Sequence, residues 1–144
     1  MAVVMDEVAL TAFLQTAFAQ VADDFTVEEV GEMRARVRLN VAERHLRPGG
    51  TVSGPSMFAL ADVGIYVAIL AMVGPEALAV TTSAHMDFMR KPAAGADLIA
   101  EVRLLKLGRV LVVGEVLMHS EGQEAPVARA AMTYSRPPSG GGAT

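Results

Sequence analysis

The sequence predicts an α+β domain in which one antiparallel sheet curls around a single long helix. Three observations lead there. From Ser53 to Gly74 the side chains are apolar on every side of a helical projection, and Asp62 is the one charge among them. A helix apolar all round is buried in its own protein. One strand-like segment precedes it (33–39) and four follow it (77–89, 97–107, 110–120 and 125–135). The later segments are separated by turn-forming residues: Pro92 and Gly95, Leu107-Gly108-Arg109, and Glu121-Gly122. A sheet laid over one helix buries the helix and one face of every strand, a simple packing solution for this order of elements.

Each element has its own signal. Leu10, Leu14, Ala17, Phe18 and Val21 recur at helical spacing, which predicts an amphipathic helix over 6–22. Met33, Ala35, Val37 and Leu39 alternate with Arg34, Arg36 and Arg38, a strand whose arginines form the wet face. The stretch AERHLRPGGT is a turn-rich loop. The long helix, 53–73, starts at Ser53, a good N-cap, with Pro55 in the first turn where a missing N–H costs little. It stops at Gly74-Pro75. Gly108-Arg109 has the glycine-first pattern of a two-residue hairpin turn. The tail, 136–144, has nothing to bury and is expected to be disordered. One domain, 1–135, accounts for the rest.

Composition excludes several classes of function. The chain has 144 residues, of which 52% are hydrophobic and 19% charged, and the apolar excess suggests a further buried surface such as a subunit interface. A net charge of −4 argues against nucleic acid as a partner, because phosphate binding needs a basic face. Without cysteine there is no disulfide, thiolate catalysis or cysteine metal site. The three histidines, His45, His85 and His119, include no pair at metal-ligand spacing, so no metal is expected; His85 and His119 read as structural strand residues. GPSMFALADVG is too widely spaced for a phosphate-binding loop, and no cofactor is expected. The apolar N-terminus lacks the basic region of a signal peptide, so the expected location is the cytoplasm. A membrane span needs about 20 apolar residues, and it would not carry a central aspartate without flanking cations; no membrane partner is expected.

An acid in an apolar helix suits work as a base or nucleophile, and the helix N-terminus offers unpaired N–H groups and a positive dipole end, fit to stabilise an oxyanion. The plainer alternative for Asp62 is a carboxylate bonded to backbone or facing an aqueous groove.

The order Ser53-Gly54-Pro55, Leu60-Ala61-Asp62, Thr81, Phe88-Met89-Arg90-Lys91-Pro92, Leu107-Gly108-Arg109 and Val127-Ala128 resembles the PaaI-type acyl-CoA thioesterases of the hotdog superfamily over about residues 26–135. That family carries an Asn-containing loop, then His-Gly-Gly, then Leu-Ala-Asp nine residues after the His. Here Ser53-Gly54-Pro55 stands in the His-Gly-Gly place and Arg47 in the place of the Asn. The resemblance implies a hotdog fold and hydrolysis of an acyl-CoA to a carboxylic acid and free coenzyme A. Asp62 would attack the thioester carbonyl or activate water, the Gly54 N–H would face the oxyanion, and the Thr81 hydroxyl would position water. Arg90, Lys91 and Arg109 would grip the coenzyme A phosphates. It also implies a homodimer, often paired again into a homotetramer.

Plainer readings stand beside these. Arg47 can polarise a thioester or pair with a carboxylate, but it cannot accept a hydrogen bond as Asn does. Ser53 reads more simply as an N-cap, Thr81 equally as an ordinary strand threonine, and the three cations equally as a solvated rim. Two other functions fit the same fold: binding an acyl-CoA without turnover, and dehydration or isomerisation of an acyl thioester. The latter usually presents a catalytic His near this helix, where Ser53 stands. Gly54 and Asp62 lie eight residues apart, about 12 Å at the helical rise, too far for both to meet one carbonyl. Two such helices packed antiparallel about a two-fold axis would bring Gly54 of one chain opposite Asp62 of the other.

Overall fold

The computed structural model describes residues 2–76 and 78–137. Helix α1 (Glu7–Ala17) opens on Asp6, whose carboxylate accepts the Ala9 N–H at 2.9 Å. It ends five residues before the expected 22. Phe18 leaves helical geometry (φ −130°, ψ 47°), and its ring turns edge-on to Tyr66 with centroids 5.2 Å apart. A 3₁₀ turn at Ala22–Asp24 then leads into β1 (Phe25–Gly31), a strand absent from the sequence reading. Only Phe25 and Val27 of β1 are buried, and a register shift between Val27 and Glu29 breaks the alternation that would reveal it. Strand β2 (Arg34–Leu39) pairs antiparallel with β1, and Met33, expected inside β2, sits in the connecting turn at φ 60°.

Helix α2 (Gly54–Val73) is followed by β3 (Val80–Phe88), β4 (Leu98–Leu107), β5 (Leu111–Ser120) and β6 (Pro126–Ser135). The sheet has six strands in the order β1-β2-β4-β5-β6-β3, every neighbour antiparallel. β4, β5 and β6 are joined as expected by tight connections. β3 and β4 are not. β3 lies at the far edge on β6, and β4 pairs with β2. Met89 and Arg90 both donate to the Val127 carbonyl (2.8 and 3.2 Å), and Pro92 has no N–H to continue the ladder, so the chain leaves the sheet there and crosses over.

The helix is wrapped in the manner of a hotdog fold. From Ile65 to Met72 every side chain of α2 is buried. Two glycines set the distance between helix and sheet: a Cβ at Gly114 would stand 2.4 Å from Ile65 Cδ1, and one at Gly64 would stand 2.8 Å from Val102 Cγ2. Gly74 closes the helix at φ 92°, a conformation that favours glycine. By length and hydropathy α2 would suffice to cross a membrane, yet 67% of its apolar window is buried inside the fold. Its N-terminal half is different. Pro55, Phe58 and Ala59 are exposed, Phe58 at 40%. The edge strand β3 is open as well, with Val80 and Phe88 each 55% exposed.

The arginine face of β2 is an ion-pair network rather than a free wet surface. Arg38 reaches Glu28, Asp97 and Glu121 at 2.6, 3.0 and 2.9 Å, and Arg36 reaches Glu101 at 3.0 Å. The β4–β5 connection has three residues instead of two. Gly108 donates to the Leu111 carbonyl at 2.9 Å, and a Cβ there would lie 2.7 Å from the same oxygen. Arg136, assigned above to the tail, is tied down: its guanidinium holds both Glu76 oxygens (3.0 and 2.7 Å) and the Gly108 carbonyl (3.0 Å). The rest of the expected tail, 138–144, lies outside the described residues.

Candidate active site

Asp62 sits midway along α2, half-buried, on the side facing β3 and β6. Thr81 and Tyr134 are direct cross-strand partners on those two strands. That register brings both hydroxyls to one atom: Asp62 Oδ1 accepts from Thr81 Oγ1 at 2.5 Å and from Tyr134 OH at 2.6 Å. The Tyr134 hydroxyl also stands 2.8 Å from the main-chain carbonyl of Asp62. Burial, then the neighbouring Asp62 charge, hold its ionisation well above the ordinary tyrosine range, so it remains a donor at any physiological pH. Both bonds fall on Oδ1 and fix the orientation of the carboxylate. Tyr134 was missed in the sequence because its role depends on facing Thr81 across a pairing of residues far apart in the chain.

Two cavities adjoin Asp62. The larger, about 410 Å³, lies toward Thr81 and Tyr134 and is walled by Phe18, Tyr66 and Val80. The smaller, about 160 Å³, runs toward Phe25, Leu39 and His45. His45 is buried. Its Nδ1 accepts the Ala42 N–H at 2.9 Å, which places the proton of the neutral ring on Nε2. Nε2 is 3.2 Å from Asp24 Oδ2, close but not aligned for a hydrogen bond. The Asp24 carboxylate is also gripped by Arg44. Burial opposes its charge, and the Arg44 and His45 partners outweigh that effect and hold its proton affinity below the ordinary aspartate range.

Gly54 opens into a third cavity, about 440 Å³, which it shares with Arg47, Met57, Phe88, Arg90 and Lys91. Asp62 does not line it. Within one chain the acid and the proposed oxyanion donor therefore face different spaces. Ser53 acts as the N-cap, its Oγ accepting from the Ser56 N–H at 3.3 Å and bonding Ser56 Oγ at 3.1 Å. Arg47 is exposed in the loop ahead of the helix, where its N–H meets the Thr51 carbonyl at 2.9 Å. Arg90 bonds the Pro126 carbonyl. Arg109 is far from Arg90 and Lys91. β6 pairs with Phe88 at Ala128 and with Leu111 at Ser135, so the two cationic groups stand at opposite ends of the strand, roughly 23 Å apart by strand rise. His85 pairs with Asp87 at 3.1 Å, and His119 stands 3.6 Å from Glu101 and bonds the Gln123 carbonyl region of the β5–β6 turn at 2.9 Å; neither approaches Asp62's hydroxyl clamp.

The fold is that of the hotdog class, with an acid of the central helix beside two cavities. The chain belongs to the thioesterase superfamily, whose family model matches residues 49–127. It is 59% identical to a candidate thioesterase from Silicibacter sp. TM1040, with 96% of each chain covered and a TM-score of 0.90. The phenylacetic acid degradation protein PaaI from Thermus thermophilus, solved as a mutant, is 29% identical, with 88% of this chain and 99% of that one covered at a TM-score of 0.68. A candidate esterase of Pseudomonas aeruginosa is 32% identical over 84 residues, 58% of this chain, and the match spans 63% of that protein's length. Thioester hydrolysis is the class of reaction these relatives support.

Proposed function

We propose that the protein hydrolyses an acyl-CoA thioester to a carboxylic acid and free coenzyme A, in active sites shared between two copies of the chain. The observation that carries this reading is the clamp on Asp62: two hydroxyls hold Oδ1, and the residue lines two cavities. Asp62 acts in one of two ways. As nucleophile, an Asp62 carboxylate oxygen bonds to the carbonyl carbon, the C–S bond breaks, coenzyme A leaves as its thiolate and takes a proton from water, and a second water then cleaves the mixed anhydride to the acid and free Asp62. As base, Asp62 takes a proton from water, whose oxygen attacks instead; the C–S bond breaks and Asp62 returns the proton to the departing coenzyme A thiolate. Either route builds negative charge on the carbonyl oxygen, which a first-turn helix N–H such as that of Gly54 on a second copy would receive.

The separation of the cavities supports sharing. Gly54 and Asp62 open to different spaces in one chain, and the exposed Phe58 stripe and β3 edge offer an apolar surface for a second copy. Arg47, Arg90 and Lys91 beside Gly54 suit the phosphates of coenzyme A, and Arg109 would reach them only from the partner. Leu111 and Leu117, exposed on the outer sheet face, provide a surface for pairing dimers into a tetramer.

Thiol release from a panel of acyl-CoAs tests the reading, and release well above the uncatalysed rate is expected. A second reading, acyl-CoA binding without turnover, is favoured by Ser53 serving as a cap and by Arg47 standing in the Asn place. Tight binding of acyl-CoA with no thiol release would select it.

A further inference from the structure

We infer that His45 is a proton-sensitive hinge. While its ring is neutral it holds the Arg47 loop and the start of α2 in place, and when the ring charges it releases them, so that coenzyme A is held less tightly in acid. The coenzyme A part of this inference rests on the acyl-CoA reading above.

Of residues 42–50, His45 alone is buried. It closes a 3₁₀ turn, Glu43–His45, and its carbonyl accepts the N–H of Ser53, the cap of α2, at 2.8 Å. Between these two residues the chain runs out and back as a small hairpin. Leu46 bridges Val52, and the Arg47 N–H donates to the Thr51 carbonyl at 2.9 Å. Arg47 and Gly54, which line one cavity, therefore both hang from His45. What fixes its ring is the bond from the Ala42 N–H to Nδ1 at 2.9 Å.

That bond exists in one protonation state only. A backbone N–H can only donate, so Nδ1 offers its lone pair and the proton of the neutral ring is on Nε2. A second proton has nowhere to go but Nδ1, where it would meet the Ala42 N–H head on. Nε2 is suited to the other state: it is buried, has no hydrogen-bond partner, and stands 3.2 Å from Asp24 Oδ2. A small rotation that aligns Nε2–H with that carboxylate turns Nδ1 away from Ala42. The charged groups around the ring are Asp24 from the 3₁₀ turn before β1, Asp62 from α2 in the shared cavity, and Arg44, which grips Asp24; β1 and β2 contribute Phe25 and Leu39. The two acids favour the charged ring, whereas burial, Arg44 and the Ala42 bond favour the neutral one. Ala42 is only half-buried, so its freed N–H reaches water by an outward shift of the 42–45 turn, and the hairpin behind it follows.

The test compares wild type with His45→Asn and His45→Leu between about pH 8 and about pH 5, the range in which imidazoles change charge. Calorimetry reads coenzyme A binding, and NMR reads the Ala42 and Ser53 amides. In His45→Asn the side-chain carbonyl stands in for Nδ1 as acceptor and takes no proton; His45→Leu has no acceptor. Relative to His45→Asn, wild-type affinity should fall about fivefold or more from the upper to the lower pH, the low end of coupling between linked sites. The coenzyme's own phosphate titrates in the same range, but equally for both proteins. His45→Leu should bind weakly throughout. In wild type the Ala42 and Ser53 amides should shift with the same midpoint as the His45 ring, and in His45→Asn they should stay constant. A pH dependence shared by wild type and His45→Asn would overturn the inference. So would His45→Asn binding no better than His45→Leu at the upper pH, which would make His45 a packing residue. Should His45→Asn not fold, wild type decides alone: an Ala42 amide that stays constant while the His45 ring charges overturns the hinge. Coenzyme A bound by none of the proteins would defeat the acyl-CoA reading, and the amide titration would then uphold the hinge or end it.

Discussion

The two halves of α2 are built from the same kind of residue and meet different fates. From Ile65 to Met72 the helix is buried on all sides, held against the sheet by the close approaches at Gly64 and Gly114. From Gly54 to Val63 a sequence still largely apolar, but interrupted by Ser56 and Asp62, leaves Phe58 and Ala59 in the open and sets Asp62 beside two cavities. Hydrophobicity alone does not say where a segment is buried. The C-terminal half stabilises this chain, and the N-terminal half leaves Phe58 and Ala59 exposed and Asp62 beside two cavities.

The sharpest way to break the contrast is at Asp62. Asp62→Asn keeps the shape and removes the charge, so thiol release should fall by about a hundredfold or more with the melting temperature little changed. An undiminished rate in the folded variant would remove Asp62 from the chemistry.

Complementation asks whether the open half is completed by another chain. Gly54→Pro removes the donor N–H at a helix position that tolerates proline, after a Ser53 already in extended geometry (φ −77°, ψ 157°). Mixed with Asp62→Asn under proven subunit exchange, two inactive proteins should recover about a quarter of wild-type activity, since one site of each mixed dimer carries neither lesion. No recovery would place the whole site within one chain.

The buried half is probed by Gly114→Val. Its added atoms collide with Ile65, and overpacking of this kind should cost about 1–3 kcal/mol in denaturant unfolding. Phe58→Ser, on the open half, should leave monomer stability within about 0.5 kcal/mol and instead raise the dimer dissociation constant in sedimentation. Equal losses of unfolding free energy at both sites would erase the distinction between the halves.

The smallest effect expected is at Tyr134. Tyr134→Phe removes one of two donors to Oδ1 and should lower kcat about tenfold with KM nearly unchanged, the scale of a hydrogen bond to a charged group. On an Asp62→Asn background the same change should lower the residual rate far less, because Tyr134 acts through Asp62. A tenfold loss there too would make Tyr134 a packing residue only.

How much of this was visible beforehand follows the range of the interaction involved. The long helix, its Ser53 cap and its Gly74 stop are local signals, and the structure has them where the sequence places them. β4, β5 and β6 are likewise local, each bounded by a turn. β1 was hidden because a bulge and two glutamates interrupt its alternation. The seating of β3 against β6 rather than β4 could not be read from segments in order, since it depends on pairing across the sheet. At the site, Asp62 was conspicuous as the single charge in an apolar run. Tyr134 was not, because a tyrosine in a strand has no distinguishing neighbour until Thr81 is known to face it. The separation of Arg109 from Arg90 and Lys91 was hidden for the same reason.

The pairing of β3 with β6 also has a consequence for synthesis. A chain emerging from the ribosome completes α2, and with it Asp62, well before Pro126–Ser135 is made. Until then β3 has no strand to lie on, Thr81 has no partner across the ladder, and the carboxylate lacks its tyrosine. The final strand thus completes the pair of hydroxyls on Asp62, and a nascent or prematurely terminated chain carries the acid without that pair.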